Sequence, residues 1–268
     1  MPELPEVETI RRQLASRIEG RTIVDAQAHP SPKFVSAVDA ISHRVEAVGR
    51  RGKYLIPRLD RDRELVVHLG MTGSLRIADQ DAAPDPYIRA AWTLDDGAVL
   101  ELRDVRRFGR VAVLPAGVYD SLPTLHALGP EPLSDAFDPL TFHRALKASR
   151  RPVKTQLMSQ RPVAGVGNIY ADEALWRAGV HPASRRMSRP QSDRIRTEVR
   201  AVLRDAIERG GTTLRDYRNF DGGAGRNQTY LECYGRAGRP CVRCGTELRR
   251  SVIDQRGTTW CPQCQRRR

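Results

Sequence analysis

The sequence predicts an α+β protein of several domains, and three observations predict it. Residues 21 to about 115 carry short runs of β-branched, aromatic and leucine residues broken by Gly and Asp-Gly turns, the pattern of an antiparallel β-sandwich or barrel. After Gly129-Pro130-Glu131-Pro132-Leu133, a linker by composition, the apolar spacing becomes helical. The tail carries two Cys-x2-Cys pairs, which fit a small metal-clamped hairpin. The expected boundaries are a helix-plus-sandwich domain over 1–128, a helical domain over 129–236 and a zinc-finger hairpin over 237–268.

The elements follow in order. A helix opens near Pro5, because proline suits a first helical turn and Glu6 and Glu8 favour the positive helix end. Val7, Ile10 and Leu14 give it one apolar face. Strands are predicted at Thr22-Ile23-Val24, Lys53-Tyr54-Leu55-Ile56, Leu65-Val66-Val67-His68-Leu69, Ala91-Trp92-Thr93-Leu94, Val99-Leu100-Glu101-Leu102 and Arg110-Val111-Ala112-Val113-Leu114. Asp95-Asp96-Gly97 is a hairpin turn. Beyond the linker, Phe142 and Leu146 mark one helix and Asn168 to Arg177 a second. A third runs from Ser192 to Arg209, with Ile195, Val199, Val202, Leu203 and Ile207 on one face, and Gly210-Gly211 stops it. The chain has no internal repeat or low-complexity tract.

Composition narrows the function classes. With 40% hydrophobic and 29% charged residues among 268, and a mean hydropathy of −0.52, the chain is globular in character and has no apolar run long enough for a membrane helix. Met1-Pro2-Glu3-Leu4-Pro5-Glu6 lacks the basic, then apolar, start of a secretory signal, so a cytoplasmic protein is expected. Lys and Arg number 45 against 32 Asp and Glu, a net charge of +13 with a pI near 10.2. Such an excess points to a polyanion, nucleic acid before membrane. From Arg226 to Arg268 there are ten Arg against Glu232, Glu247 and Asp254, so +7 of the charge lies in this tail. The lysines are only four: Lys33, Lys53, Lys147 and Lys154. A lysine kept in so Arg-rich a chain suggests a place where a compact, titratable ammonium is wanted.

Cys241, Cys244, Cys261 and Cys264 form Cys-x2-Cys, sixteen intervening residues, then Cys-x2-Cys. In a cytosolic chain this spacing gives one tetrahedral structural zinc rather than disulfides. Cys233 is left over and fits a small apolar core residue.

Pro2-Glu3 is the least ordinary feature. Removal of Met1 leaves a proline amine, and an α-amine titrates near ~7.7–8.0, so part of it is a neutral nucleophile at neutral pH. A secondary amine attacking an electrophilic carbon yields an iminium, a cationic electron sink. Glu3 beside it is a proton donor, and Glu6 helps to position the terminus.

Met1-Pro2-Glu3-Leu4-Pro5-Glu6-Val7-Glu8-Thr9 closely resembles the start of the formamidopyrimidine-DNA glycosylase family of bacterial base-excision repair. Further motifs follow in that family's order: Gly52-Lys53-Tyr54-Leu55, His68-Leu69-Gly70-Met71-Thr72-Gly73, Arg106-Arg107-Phe108-Gly109, Gly165-Val166-Gly167-Asn168-Ile169-Tyr170, Gly210-Gly211-Thr212-Thr213, and Gln255-Arg256-Gly257-Thr258-Thr259-Trp260-Cys261. The resemblance covers essentially the whole chain. It implies an N-terminal helix joined to a β-sandwich, then a helical domain with a helix–two-turn–helix motif and a four-cysteine zinc finger. It also implies excision of 8-oxoguanine and formamidopyrimidines from double-stranded DNA, followed by strand cleavage at the abasic site, by a monomer working in the bacterial cytoplasm on the nucleoid.

The resemblance assigns the roles. Pro2 is the nucleophile, Glu3 the proton donor, Lys53 a cation near sugar and phosphate, and Arg256 a phosphate contact from the zinc hairpin. Met71, Arg106 and Phe108 fill the space left by a flipped nucleotide. Arg150, Lys154 and Asn168 hold phosphates, Asn168 at a helix N-terminus. Arg215 lies in the lesion-capping loop, about Leu214 to Tyr230. Tyr87 and Arg89 stand where many relatives carry histidines, and Asp104-Val105 replaces the usual Asp-Pro. The rival readings are an endonuclease VIII-like preference for oxidised pyrimidines and a non-catalytic DNA-binding zinc ribbon.

Overall fold

The computed structural model describes residues 1–79, 83–214 and 217–267. They pack as two compact units. The first takes residues 1–126 and 209–226, the second 127–208 and 227–268.

The first unit opens with α1 (Leu4–Ile18), whose Val7, Ile10, Leu14 and Ile18 are buried at helical spacing. Among the described residues eight strands follow: β1 (Ile23–Ala28), β2 (Val45–Arg51), β3 (Tyr54–Leu59), β4 (Arg63–His68), β5 (Ser74–Ile77), β6 (Ile88–Leu94), β7 (Val99–Arg103) and β8 (Arg110–Pro115). They form two four-stranded antiparallel sheets, ordered β1-β6-β7-β5 and β2-β3-β4-β8. One apolar core, including Phe34, Leu55, Leu59, Trp92 and Leu102, draws on both sheets and on α1. Gly97, at φ +85°, makes the β6–β7 turn that Asp95-Asp96-Gly97 predicts. A short helix, α2 (Pro123–His126), ends the main segment. Phe220, from the returning segment 209–226, completes the core.

Two strands escape the sequence pattern. In β2 only Val45 and Val48 are buried, and a register shift between Val45 and Ala47 breaks the alternation. β5 is a four-residue edge strand, too short to show a period.

The second unit holds α3 (Pro139–Lys147), α4 (Val153–Met158), α5 (Asn168–Arg177), α6 (Arg189–Glu208) and the hairpin β9 (Arg249–Ile253)–β10 (Arg256–Trp260). Asp138 caps α3 by accepting the Leu140 and Thr141 amides, both at 2.9 Å. The third predicted helix starts at Arg189, three residues early, since Pro190 fits its first turn. The six-residue α4 is too short to carry a readable period.

Candidate active site and nucleic-acid interface

Glu3 is the N-cap of α1 and makes a reciprocal capping box with Glu6, whose Oε2 accepts the Glu3 amide at 2.7 Å. Oε1 of Glu6 accepts the Thr212 amide at 2.7 Å, so one buried carboxylate joins the N-terminus to the Gly210-Gly211-Thr212-Thr213 segment. Gly211 lies at φ +82°, and a Cβ there would sit 3.0 Å from the Glu6 side chain. A Cβ on Gly225 would meet the Gly211 carbonyl oxygen at 2.2 Å. The Tyr217 hydroxyl, with its pKa pushed up by burial and by the Glu6 charge, donates to the Gly210 carbonyl at 3.2 Å. Met1 is exposed, whereas Pro2 and Glu3 beneath it are buried.

Lys53 follows Gly52 in the β2–β3 turn, where Gly52 lies at φ +56°. Arg50 ties this turn to α1: it donates to Glu8 at 3.0 Å and to the Gly52 carbonyl at 2.9 Å. Burial pushes the Glu8 carboxyl up, but Arg11, Arg12 and Arg50 reverse this and hold it below the usual range. His68 pairs with Tyr54 across the sheet, the two rings 4.6 Å apart. Burial, and then the Lys53 and Arg110 charges, lower its pKa to about 4. The imidazole is therefore neutral at pH 7, with Nδ1 accepting the Gly70 amide at 3.2 Å.

Met71 and the Arg106–Phe108 segment sit on two interlocked loops. Asp104, fully buried, accepts the Thr72 hydroxyl and the Gly109 amide, each at 2.7 Å. Thr72 Oγ1 also accepts the Arg106 amide at 3.2 Å. Gly70, at φ +64°, leaves no room for a Cβ, which would lie 2.5 Å from backbone atoms of Phe108 and Gly109. Phe108 is 48% exposed, an apolar ring facing outward. The Arg106 guanidinium rests 4.6 Å from its centroid. Tyr87 is exposed, with the Arg103 guanidinium 5.0 Å from its ring. Arg89 is buried and turned inward, donating to the Asp104 carbonyl at 2.8 Å.

In the second unit, α5 begins at Asn168, whose Nδ2 donates to the Gly257 carbonyl at 3.1 Å. Asp254 and Gln255, both at positive φ, form the β9–β10 turn and leave Arg256 exposed at the start of β10. Arg150 is exposed ahead of α4. Lys154 departs from expectation: it is 1% exposed, paired with Asp172 at 2.7 Å, and donates to the Gly257 carbonyl and the Thr258 hydroxyl. This ammonium holds the Arg256 hairpin to the helices rather than reaching out to a phosphate. Arg215 lies outside the described residues.

The four Sγ atoms of Cys241, Cys244, Cys261 and Cys264 lie within 4.8 Å of one another. A tetrahedron of thiolates with Zn–S near ~2.3 Å fits that spacing, and these residues hold one structural zinc. The Trp176 indole N–H donates to Cys241 Sγ at 3.4 Å. Arg243, inside the first knuckle, stacks on Trp176 and donates to the Trp176 and Arg177 carbonyls. Cys233 is buried beside the cluster, as its apolar reading expects.

Sequence reasoning assigns no role to Asp104, Thr72, Asp172, Glu173 or Trp176, which hold the neighbouring loops and hairpin in place. The one available signal is Asp172-Glu173 in the middle of a helix that is otherwise apolar there.

Three family models match most of the chain: the formamidopyrimidine-DNA glycosylase N-terminal domain over residues 1–111, its H2TH domain over 128–218, and a zinc finger found in FPG and IleRS over 238–267. A formamidopyrimidine-DNA glycosylase of Deinococcus radiodurans is 44% identical over 279 residues, covering 99% of this chain and 97% of that protein. The crystal structure of the MutM (Fpg) protein from Thermus thermophilus matches with a TM-score of 0.92 at 44% identity, covering all of both chains. A Lactococcus lactis Fpg, solved with DNA containing an abasic site, matches with a TM-score of 0.89 at 34% identity, over 99% of this chain and 100% of that one.

Proposed function

The chain belongs to the formamidopyrimidine-DNA glycosylase family, and from that membership we infer a bifunctional DNA glycosylase and abasic-site lyase that removes oxidised purines from duplex DNA. The observation that carries the chemistry is the Pro2-Glu3 terminus, fixed at the head of α1 by the buried carboxylate of Glu6.

With Met1 removed, the lone pair of the Pro2 nitrogen forms a bond to C1′ of the damaged nucleotide. The bond from C1′ to the base breaks, and the base leaves with that electron pair and takes up the proton that the Pro2 nitrogen releases, which frees the nitrogen lone pair for the next step. Glu3 gives a proton to the ring oxygen as the C1′–O4′ bond opens, which leaves an iminium between Pro2 and C1′. The iminium withdraws electrons, so the C2′ proton is lost and the 3′ phosphate departs by β-elimination. A second elimination releases the 5′ phosphate, and hydrolysis of the sugar fragment returns the Pro2 amine. Lys53 supplies a cation near sugar and phosphate, with neutral His68 beside it adding no competing charge. Met71, Arg106 and Phe108 enter the vacated stack, and Arg106 reads the orphaned base. Tyr87, Arg150, Asn168, Arg215 and Arg256 contact the strand. The zinc holds the hairpin that carries Arg256 and takes no part in bond breaking.

In functional terms, residues 1–128 carry the chemistry, 129–236 the phosphate grip and 237–268 the zinc clamp. The enzyme works as a monomer in the cytoplasm, on the nucleoid.

Borohydride trapping on a duplex with 8-oxoguanine opposite cytosine tests nucleophile and substrate together. A covalent adduct on the peptide starting at Pro2 is expected. Keeping Met1 or adding an N-terminal tag abolishes it. Wild-type trapping by a protein with a blocked terminus overturns the assignment and makes Lys53 the next residue to test. Efficient excision of oxidised pyrimidines, but not of 8-oxoguanine, favours the endonuclease VIII-like rival.

A further inference from the structure

Lys33 is one of four lysines in the chain, and none of the chemistry above uses it. It lies just before buried Phe34, and its own carbonyl accepts the Val111 amide of β8 at 2.7 Å, which fixes the residue against the sheet. From there its ammonium crosses to the Arg106–Phe108 loop. Nζ donates to the Arg107 carbonyl at 2.9 Å and lies 6.0 Å from the Phe108 ring centroid. Arg107 is at φ +56°, a left-handed conformation that a non-glycine residue keeps only when its surroundings hold it there.

The loop has supports on two sides. Asp104 and Thr72 hold the amides of Arg106 and Gly109, at either end of the exposed segment. Lys33 holds the carbonyl at its crest, where the backbone is strained. Arg106 flanks the Phe108 ring as a second cation.

We propose that Lys33 is a positioning residue for the inserting loop: its ammonium locks the left-handed Arg107 and so keeps Phe108 projecting with Arg106 at its side. Without that hydrogen bond the crest relaxes and insertion must first reorder it. This rests on the reading above that Arg106 and Phe108 enter the duplex.

The experiment compares cleavage of an abasic site in duplex DNA, which needs insertion, with cleavage of the same site in single-stranded DNA, which leaves no opposite strand to wedge apart. Lys33→Met lowers the duplex-to-single-strand ratio of kcat/KM about tenfold, the scale of one charge-assisted hydrogen bond. Lys33→Arg, which keeps a cationic donor, recovers most of it. Fluorescence of 2-aminopurine placed opposite the site rises more slowly with Lys33→Met. Lys33→Gln serves as a second variant, and equal thermal midpoints verify folding. Phe108→Ala separates the two layers of the argument. If Phe108→Ala lowers the ratio and Lys33→Met does not, the role of Lys33 is wrong. If Phe108→Ala leaves the ratio at the wild-type value, insertion itself is wrong and the proposal falls with it.

Discussion

His68 stands beside Lys53 without a charge of its own, and this leaves a mark on stability. Its folded pKa of about 4 lies below the ordinary 6.5 of an exposed imidazole, so the unfolded chain takes up the proton first. Above about pH 6.5 the residue costs nothing. As the pH falls toward 4 it destabilises the fold by about tenfold in the folding constant per unit. His68→Gln keeps an acceptor for the Gly70 amide and removes the titration. The gap between wild-type and variant urea midpoints should therefore shift in the variant's favour from pH 7 to 5; a constant gap would contradict it. Arg106→Ala should reduce the preference for cytosine opposite the lesion by about 1–3 kcal/mol, measured as kcat/KM ratios against adenine, with a smaller loss of general affinity. The proposed site residues Pro2, Lys53 and Phe108 are legible in the sequence because they stand in short motifs. The supporting roles of Asp104 and Thr72 are not, because a buried carboxylate that collects two donors looks like any loop aspartate until the chain has folded.

Helix α5 joins what the sequence presents as separate features. Asn168, Asp172 and Trp176 recur every four residues on one face. Asn168 meets the Gly257 carbonyl, Asp172 the Thr259 amide and Trp176 the thiol of Cys241. Glu173, one position along, accepts the amides of Glu232, Cys233 and Tyr234. The proposed phosphate contact, the hairpin and the metal site thus share one helix, and metal loss should be felt at Asn168. Cys244→Ser should lose zinc and weaken DNA binding, read as zinc content and as affinity for an abasic-site duplex. Trp176→Phe keeps the packing but removes the N–H, and should release zinc to a chelating dye severalfold faster, in line with the ~10–100-fold in affinity typical of outer-sphere partners. Unchanged release would show that the indole only packs. The composition of α5 gives its boundaries correctly. Its purpose stays hidden, since acceptors in a helix declare nothing about donors 59 or more residues away.

Across the whole molecule the net charge of +13 states that the partner is a polyanion but not which arginines touch it. Salt dependence sorts them. Arg256→Ala should lower the slope of log K against log salt by about one, as loss of one phosphate contact does. Lys154→Met should not change the slope in that way, since its ammonium is already neutralised by Asp172; an equal drop would restore it as a phosphate ligand. The order helix, sandwich, helices, zinc hairpin was legible because each part has its own period or spacing. The return of 209–226 to the first unit was not, because it depends on Phe220, Tyr217 and Gly211 meeting residues more than two hundred positions earlier.

That return sets the order of events at the ribosome. The Glu6 carboxylate cannot close on the Thr212 amide until 206 further residues have been made, roughly 10–40 s of synthesis at bacterial rates. A nascent chain therefore carries an unfinished N-terminus, and a chain cut before residue 209 never finishes it. Competence for cutting DNA is thereby reserved for polypeptides that also possess the segments for gripping it.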